Sequence, residues 1–166
     1  NIPEAADISV TLLSASKTFN MPGLGCAYAI VKNPILRNKL KKIMNGIVHH
    51  VGALGYTATL AAYAEGKPWH NALVDYLRVN RDCVESSLSA HTQLTTYHSE
   101  ATYLTWIDAR QMNVENPSKY FENFGIGIYD GAPFGAPGFL RLNFACPKTM
   151  LIEALDRIQR GINALT

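Results

Sequence analysis

Lys17 stands in Ser14-Ala15-Ser16-Lys17-Thr18-Phe19-Asn20, a lysine among small and hydroxyl-bearing residues directly after an apolar run. An amine set into the buried mouth of a strand gives up its proton more easily than one in water, and a neutral amine attacks an aldehyde to form a Schiff base. The hydroxyls of Ser14 and Ser16 suit phosphate oxygens, and such short side chains also let backbone amides approach an anion. Taken alone, S-x-x-K equally describes an ordinary strand-end lysine reaching solvent. Short motifs are permissive enough that this plainer reading outweighs the chemical one until context is added.

A second chemistry shares the spacing. Serine acyl-transfer enzymes of the β-lactamase and penicillin-binding class use S-x-x-K with the serine as nucleophile, here Ser14, and Lys17 as its base. They also need S-D-N and K-T-G elements, and neither string occurs. Their serine opens a helix, whereas the preceding strand and Pro22-Gly23 call for a loop.

Arg141 is the other candidate. In Phe139-Leu140-Arg141-Leu142-Asn143-Phe144, strand alternation puts Arg141 and Asn143 on one face and Leu140, Leu142 and Phe144 on the other. Beside a loop stiffened by Gly131, Pro133, Gly135, Pro137 and Gly138, a strand arginine can grip a carboxylate with two parallel hydrogen bonds. On spacing alone a half-exposed surface arginine is the simpler account. His49 and His50 are adjacent and cannot both face one site from a regular helix, and no H-E-x-x-H pattern occurs, so no metal site is expected. No G-x-G-x-x-G or G-K-[ST] phosphate loop is present either.

The elements that must hold these residues are legible from periodicity. Ile8 to Leu13 reads as a strand ending in the lysine loop, and Cys26 to Val31 as a buried strand. A helix follows from Asn33 as N-cap and Pro34 to Gly46, a second from about Ala53 to Glu65, and a long third from Pro68 to Leu88 with Trp69, Leu73, Leu77 and Val84 on its core face. Gln93–His98 and Thr102–Asp108 read as a hairpin. A short helix opens at Asn116-Pro117 with Tyr120, Phe121 and Phe124 inward, strands return at Ile126–Tyr129 and Phe139–Phe144, and a helix from Pro147 closes the chain. This order predicts an α+β unit whose strands are covered by helices, preceded by two strands of another sheet that the chain does not obviously complete.

With 166 residues, 48% of them apolar and 17% charged, the chain supports a packed soluble fold. Fifteen basic and 13 acidic residues are interspersed, and the cluster Arg37, Lys39, Lys41, Lys42 is too small to track phosphates, so nucleic acid is not an expected partner. Three scattered cysteines give no disulfide framework, and no apolar run of about 18 residues marks a membrane span. A cytoplasmic protein with no membrane association is the expectation.

Four stretches taken together resemble one family. S-A-S-K-T-F-N-M-P-G-L-G-C-A-Y-A-I, A-A-Y-A-E-G-K-P-W, A-T-Y-L-T-W-I-D and G-F-L-R-L-N-F-A-C-P, in that order, are similar to the class I/II aminotransferase superfamily of fold-type I pyridoxal-phosphate enzymes. The nearest branch is that of the cystathionine β-lyase-like carbon–sulfur lyases of MalY/PatB type. The resemblance implies that Lys17 bears pyridoxal 5'-phosphate, that Ser14 and Ser16 contact its phosphate, and that Arg141 binds the carboxylate of an amino-acid substrate. It implies further that His49 and His50 approach the active site of a dimer mate in a homodimer. Residues 1–45 would be the end of the cofactor-binding large domain, and 46–166 the small C-terminal domain with its long connecting helix. Where aspartate aminotransferases carry an arginine shortly after the lysine, this chain has Gly23-Leu24-Gly25-Cys26, which favours the lyase branch.

The activity implied is β-elimination to pyruvate, ammonia and a thiol. An aminotransferase passing the amino group to a 2-oxo acid uses the same lysine and is the alternative, with a non-catalytic binding or regulatory domain as a third reading. The segment resembles the C-terminal part of such enzymes, so the expectation is that these 166 residues alone are inactive and bind cofactor poorly.

Overall fold

The chain opens with one helical turn, α1 (Ala5–Ile8), before β1 (Thr11–Ser14) pairs antiparallel with β2 (Ala27–Ile30), Thr11 facing Ile30 and Ser14 facing Ala27. These coordinates are a computed structural model and describe residues 2–165. They fall into two compact units, one up to Ala72 and one from Leu73 onwards.

In the first unit the helices begin where their caps dictate. The Asn33 carboxamide accepts the amides of Ile35 (2.8 Å) and Leu36 (3.3 Å), with Pro34 at the first position, and α2 (Pro34–Met44) follows. Next come α3 (Ala53–Glu65), ended by Gly66, and the start of α4 (Lys67–Leu88). Two expectations are corrected here. The first strand is displaced towards Ser14, because Ile8 closes the α1 turn and the backbone becomes extended only at Ser9. The second strand is not buried: all four residues of β2 are exposed, since β1 and β2 form a ribbon of only two strands.

The second unit has a sheet in the order β3-β4-β6-β5, antiparallel throughout. Its strands are β3 (Thr95–Thr96), β4 (Leu104–Asp108), β5 (Tyr129–Asp130) and β6 (Phe139–Asn143). Between them lies α5 (Pro117–Glu122), capped by Asn116 accepting the Lys119 amide, and α6 (Lys148–Asn163) ends the chain. The hairpin strand expected over Gln93–His98 shrinks to two residues, and the Ile126–Tyr129 strand begins only at Tyr129. Ile126 and Ile128 are nonetheless buried, so their side chains obey the pattern although their backbone does not join the ladder.

Leu151, Leu155, Ile158 and Ile162 recur at helical spacing on α6 and all lie in the core. They share it with Ile107 of β4, Leu140 and Leu142 of β6, Val84 and Leu88 of α4, and Phe121 and Phe144. Tyr120 and Phe124 pack against it as expected, and the Tyr120 hydroxyl donates to the Gly161 carbonyl at 2.7 Å. Asn80 of α4 is fully buried and donates to the carbonyls of Phe144 (2.9 Å) and Cys146 (3.1 Å), fastening the end of β6. Among the described residues no helix is long and apolar enough to cross a membrane, and the three cysteines are free.

Candidate active-site elements

Lys17 sits in a tight turn at the end of β1. The Phe19 amide donates to Ala15 O (2.9 Å) and the Met21 amide to Ser16 O (2.8 Å), Ala15 is buried, and Asn20 takes the left-handed conformation at φ 52°. Asparagine tolerates that region better than most residues, so the turn closes without glycine. The lysine side chain is exposed and has no hydrogen bond or ion pair with any described residue. The burial expected from sequence is therefore absent within this chain, because the ribbon of β1 and β2 is too narrow to enclose its own end.

Ser14 and Ser16 are tied together. The Ser14 hydroxyl lies 2.8 Å from both the Cys26 carbonyl and the Ser16 hydroxyl, and it accepts the Ser16 amide at 3.1 Å. One hydroxyl carries one proton. The carbonyl can only accept, so the Ser14 proton belongs there, and the Ser16 proton completes the contact between the two hydroxyls. Ser14 thus staples β1 to β2, while the Ser16 proton serves only a neighbouring hydroxyl.

The turn is clamped to α3 at two points. The Phe19 ring stacks on Trp69 (6.0 Å, 26°) and meets Tyr63 edge-on (6.0 Å, 87°). It occupies the space beside Gly66, where a Cβ would come within 2.6 Å of the ring. At the other end of α3 a Cβ on Gly55 would stand 2.5 Å from the Leu24 carbonyl. Trp69, expected in the core, is instead 48% exposed and serves this clamp. Alongside, the Tyr28 and Tyr63 hydroxyls lie 3.3 Å apart, and this hydrogen bond, with some burial, raises the Tyr63 pKa.

In the second unit Arg141 stands on the β6 face opposite Leu140 and Leu142, as alternation required. Its cross-strand neighbours are Trp106 on β4 and Tyr129 on β5. The guanidinium carbon is 4.7 Å from the centre of the Tyr129 ring and 4.6 Å from that of Phe134. Its Nε is buried without a hydrogen-bond partner, and no carboxylate among the described residues pairs with it. Asp108 on the adjacent strand is committed to Arg110 through contacts of 2.9 and 2.7 Å, which hold its carboxyl below the usual aspartate range.

Phe134 comes from the Gly/Pro loop, which is as stiff as its composition suggested. Gly131 N donates to Phe139 O at 2.7 Å, Ala136 N to Gly131 O at 3.1 Å, and a Cβ on Gly131 would lie 2.5 Å from the Ala136 carbonyl. Sequence reasoning missed the roles of Phe19, Tyr129 and Phe134. The aromatic in G-A-P-F-G, one position before a glycine with positive φ, was the available signal for Phe134. His49 and His50 lie exposed in a non-helical stretch after α2. A groove of about 390 Å³ borders Asn143, Cys146, Met150 and Arg157 and includes neither Lys17 nor Arg141.

The family model described as aminotransferase class I and II matches residues 3–158. The chain belongs to that family. Cystathionine β-lyase PatB of Bacillus subtilis is 31% identical over 166 residues, covering 95% of this chain and 43% of PatB. Among solved structures, OvoB superposes with a TM-score of 0.96 at 41% identity, covering 98% of this chain and 43% of its own. Cystalysin of Treponema denticola, which contains pyridoxal 5'-phosphate, gives 0.89 at 29% identity, covering 99% of this chain and 44% of its own. The chain thus spans less than half the length of these relatives, and its α+β architecture is that of their corresponding part.

Proposed function

We propose that this chain is the cofactor-lysine and carboxylate-binding part of a pyridoxal-phosphate enzyme of amino-acid metabolism, a carbon–sulfur β-lyase acting on cystathionine-like amino acids. Lys17 carries the reading: an amine with no partner among the described residues, on a loop held against α3 at two points, in a member of this family. The residues fit the cofactor. The Lys17 amine is uncommitted, and the Ser16 proton can turn to a phosphate oxygen by giving up one contact; Ser14 must first release Cys26.

Pyridoxal phosphate, when bound, supplies an aldehyde for the lysine and a conjugated ring that takes up the electron pair left at the substrate Cα. With the cofactor bound, the Lys17 amine would be the base that takes up the substrate Cα proton. Arg141 holds the α-carboxylate by two parallel N–H···O bonds and so orients the Cα–H bond. With the Cα proton on Lys17, loss of the β-sulfur as thiolate, which takes up a proton, would complete the elimination. One water is consumed as pyruvate and ammonia are released.

Residues 1–45 form the end of the cofactor-binding domain in this reading, and 46–166 the small domain. In this reading the whole protein is a cytoplasmic homodimer, and the exposed Leu54, Tyr56 and Leu60 of α3, a helix apolar nearly all round, are covered in it. The lyase name of PatB favours elimination, while the family's own description favours amino transfer to a 2-oxo acid as the second reading. The whole protein, given cystathionine and no 2-oxo acid, should release pyruvate continuously. A single stoichiometric conversion of its cofactor would replace the lyase reading by the aminotransferase one. In Lys17→Ala, borohydride should no longer fix cofactor to the chain; retained fixation would remove Lys17 from the site.

A further inference from the structure

We propose that Phe134 and Tyr129 are positioning residues that hold the Arg141 guanidinium oriented for a carboxylate before one arrives. The inference rests on the reading of Arg141 as the carboxylate anchor and assigns the device that sets its geometry.

An arginine side chain has many rotamers, and hydrogen bonds or an ion pair usually select one. Arg141 has neither among the described residues. What touches its charge is aromatic: Tyr129 at 4.7 Å and Phe134 at 4.6 Å, both within cation–π range. Ring faces attract the cation without using its N–H groups, so the donors remain available to an anion. The Nε is buried without a partner, which leaves the two terminal nitrogens as the pair that meets a carboxylate side by side.

Both rings are themselves held. Tyr129 is fixed opposite Arg141 by the β5–β6 register. Phe134 is presented by the bonded turn in which its amide donates to Gly131 O at 2.9 Å, and it is braced edge-on by Trp106 (6.1 Å, 88°). Trp106 in turn stacks on Phe139 (5.8 Å, 19°), over which Arg110 lies at 4.9 Å. Asp108, two residues along β4 from Trp106, is paired with Arg110. Phe134 and Tyr129 are 54% and 63% exposed, so neither is retained in place by the core, and truncating either should leave the fold intact.

The test uses the whole protein with its cofactor and propionate, a carboxylate without an amino group, as the probe. Calorimetry should show propionate binding weakened roughly two- to fivefold by Phe134→Leu and again by Tyr129→Leu. Phe134→Tyr, which keeps a ring face, should restore it. With amino-acid substrate the same leucine variants should raise KM more than they lower kcat. Arg141→Ala is the control. If it abolishes propionate binding while both leucine variants bind normally, the positioning role is wrong and the anchor stands. If Arg141→Ala leaves binding unchanged, the anchor itself falls. A fall in kcat at constant KM in the leucine variants, or failure of Phe134→Tyr to rescue, would also overturn the proposal.

Discussion

The Phe19 ring occupies the space that a side chain on Gly66 would need: a Cβ built there lies 2.6 Å from Cε1 and 3.1 Å from Cδ1 of that ring. Phe19 is two residues beyond Lys17, and Gly66 ends α3. The lysine turn therefore owes its place to a residue absent from any catalytic pattern. Side-chain volume at the helix end decides where the turn can rest.

Gly66→Ala should clash with the Ala62 carbonyl and push Phe19 from its contact with Trp69, destabilising the chain by about 1–3 kcal/mol, the usual range for overpacking. Trp69 fluorescence, followed through thermal unfolding, reports both effects. Adding Phe19→Leu should recover part of the loss. An unchanged midpoint and spectrum in the single variant would show that the contact constrains nothing.

Ser14→Ala and Ser16→Ala should differ. Ser14 bridges β1 and β2 through the Cys26 carbonyl, so its loss should speed hydrogen exchange at the Ser16 amide, whose acceptor is the Ser14 hydroxyl. Ser16→Ala removes only a hydroxyl-to-hydroxyl contact and should leave that exchange slow. In the whole protein each variant should weaken cofactor retention, read from the dissociation constant for pyridoxal phosphate. Equal exchange rates in the two variants would contradict the staple.

Asn80→Ala should cost about 1–3 kcal/mol in urea unfolding, because the buried Phe144 carbonyl loses its donor, while Cys146 O keeps the Tyr76 hydroxyl. Asn80→Asp should be worse, since an ionised carboxylate cannot donate to either carbonyl and Asn80 is fully buried. An aspartate variant as stable as the parent at neutral pH would refute the donor role.

Asp108 supplies a pH test. Its pKa is lowered chiefly by the Arg110 side-chain hydrogen bonds, then by the Arg110 amide, with partial burial opposing both. A carboxyl depressed in the folded state adds stability above the ordinary aspartate pKa of about 4, and that stability is lost as pH falls through the depressed value. Asp108→Asn should therefore melt below the parent at neutral pH and converge with it in acid. A gap that stays constant from neutral pH to acid would exclude this linkage.

Much of this molecule was readable in order along the chain. Asn33 and Asn116 with their following prolines started helices where expected, and Leu151 to Ile162 named the core face of the last helix. Alternation placed Arg141 opposite Leu140 and Leu142. These features are local: a cap, a period of 3.6 and a period of two each act within a few residues. The family strings around Lys17 and Arg141 were equally legible, since they are read from residue identity and order.

Long-range contacts decided the rest. Lys17 lies exposed because two strands cannot enclose their own end, and Trp69 left the core to stack on Phe19 across 50 positions of chain. The Ile126–Tyr129 run buries its side chains, yet only Tyr129 and Asp130 pair with β6. The partners of Arg141 depended on strand register and on the bend of the Gly131–Gly138 loop. Periodicity fixes which way a side chain points relative to its own backbone, whereas what it meets there depends on segments that only folding brings together.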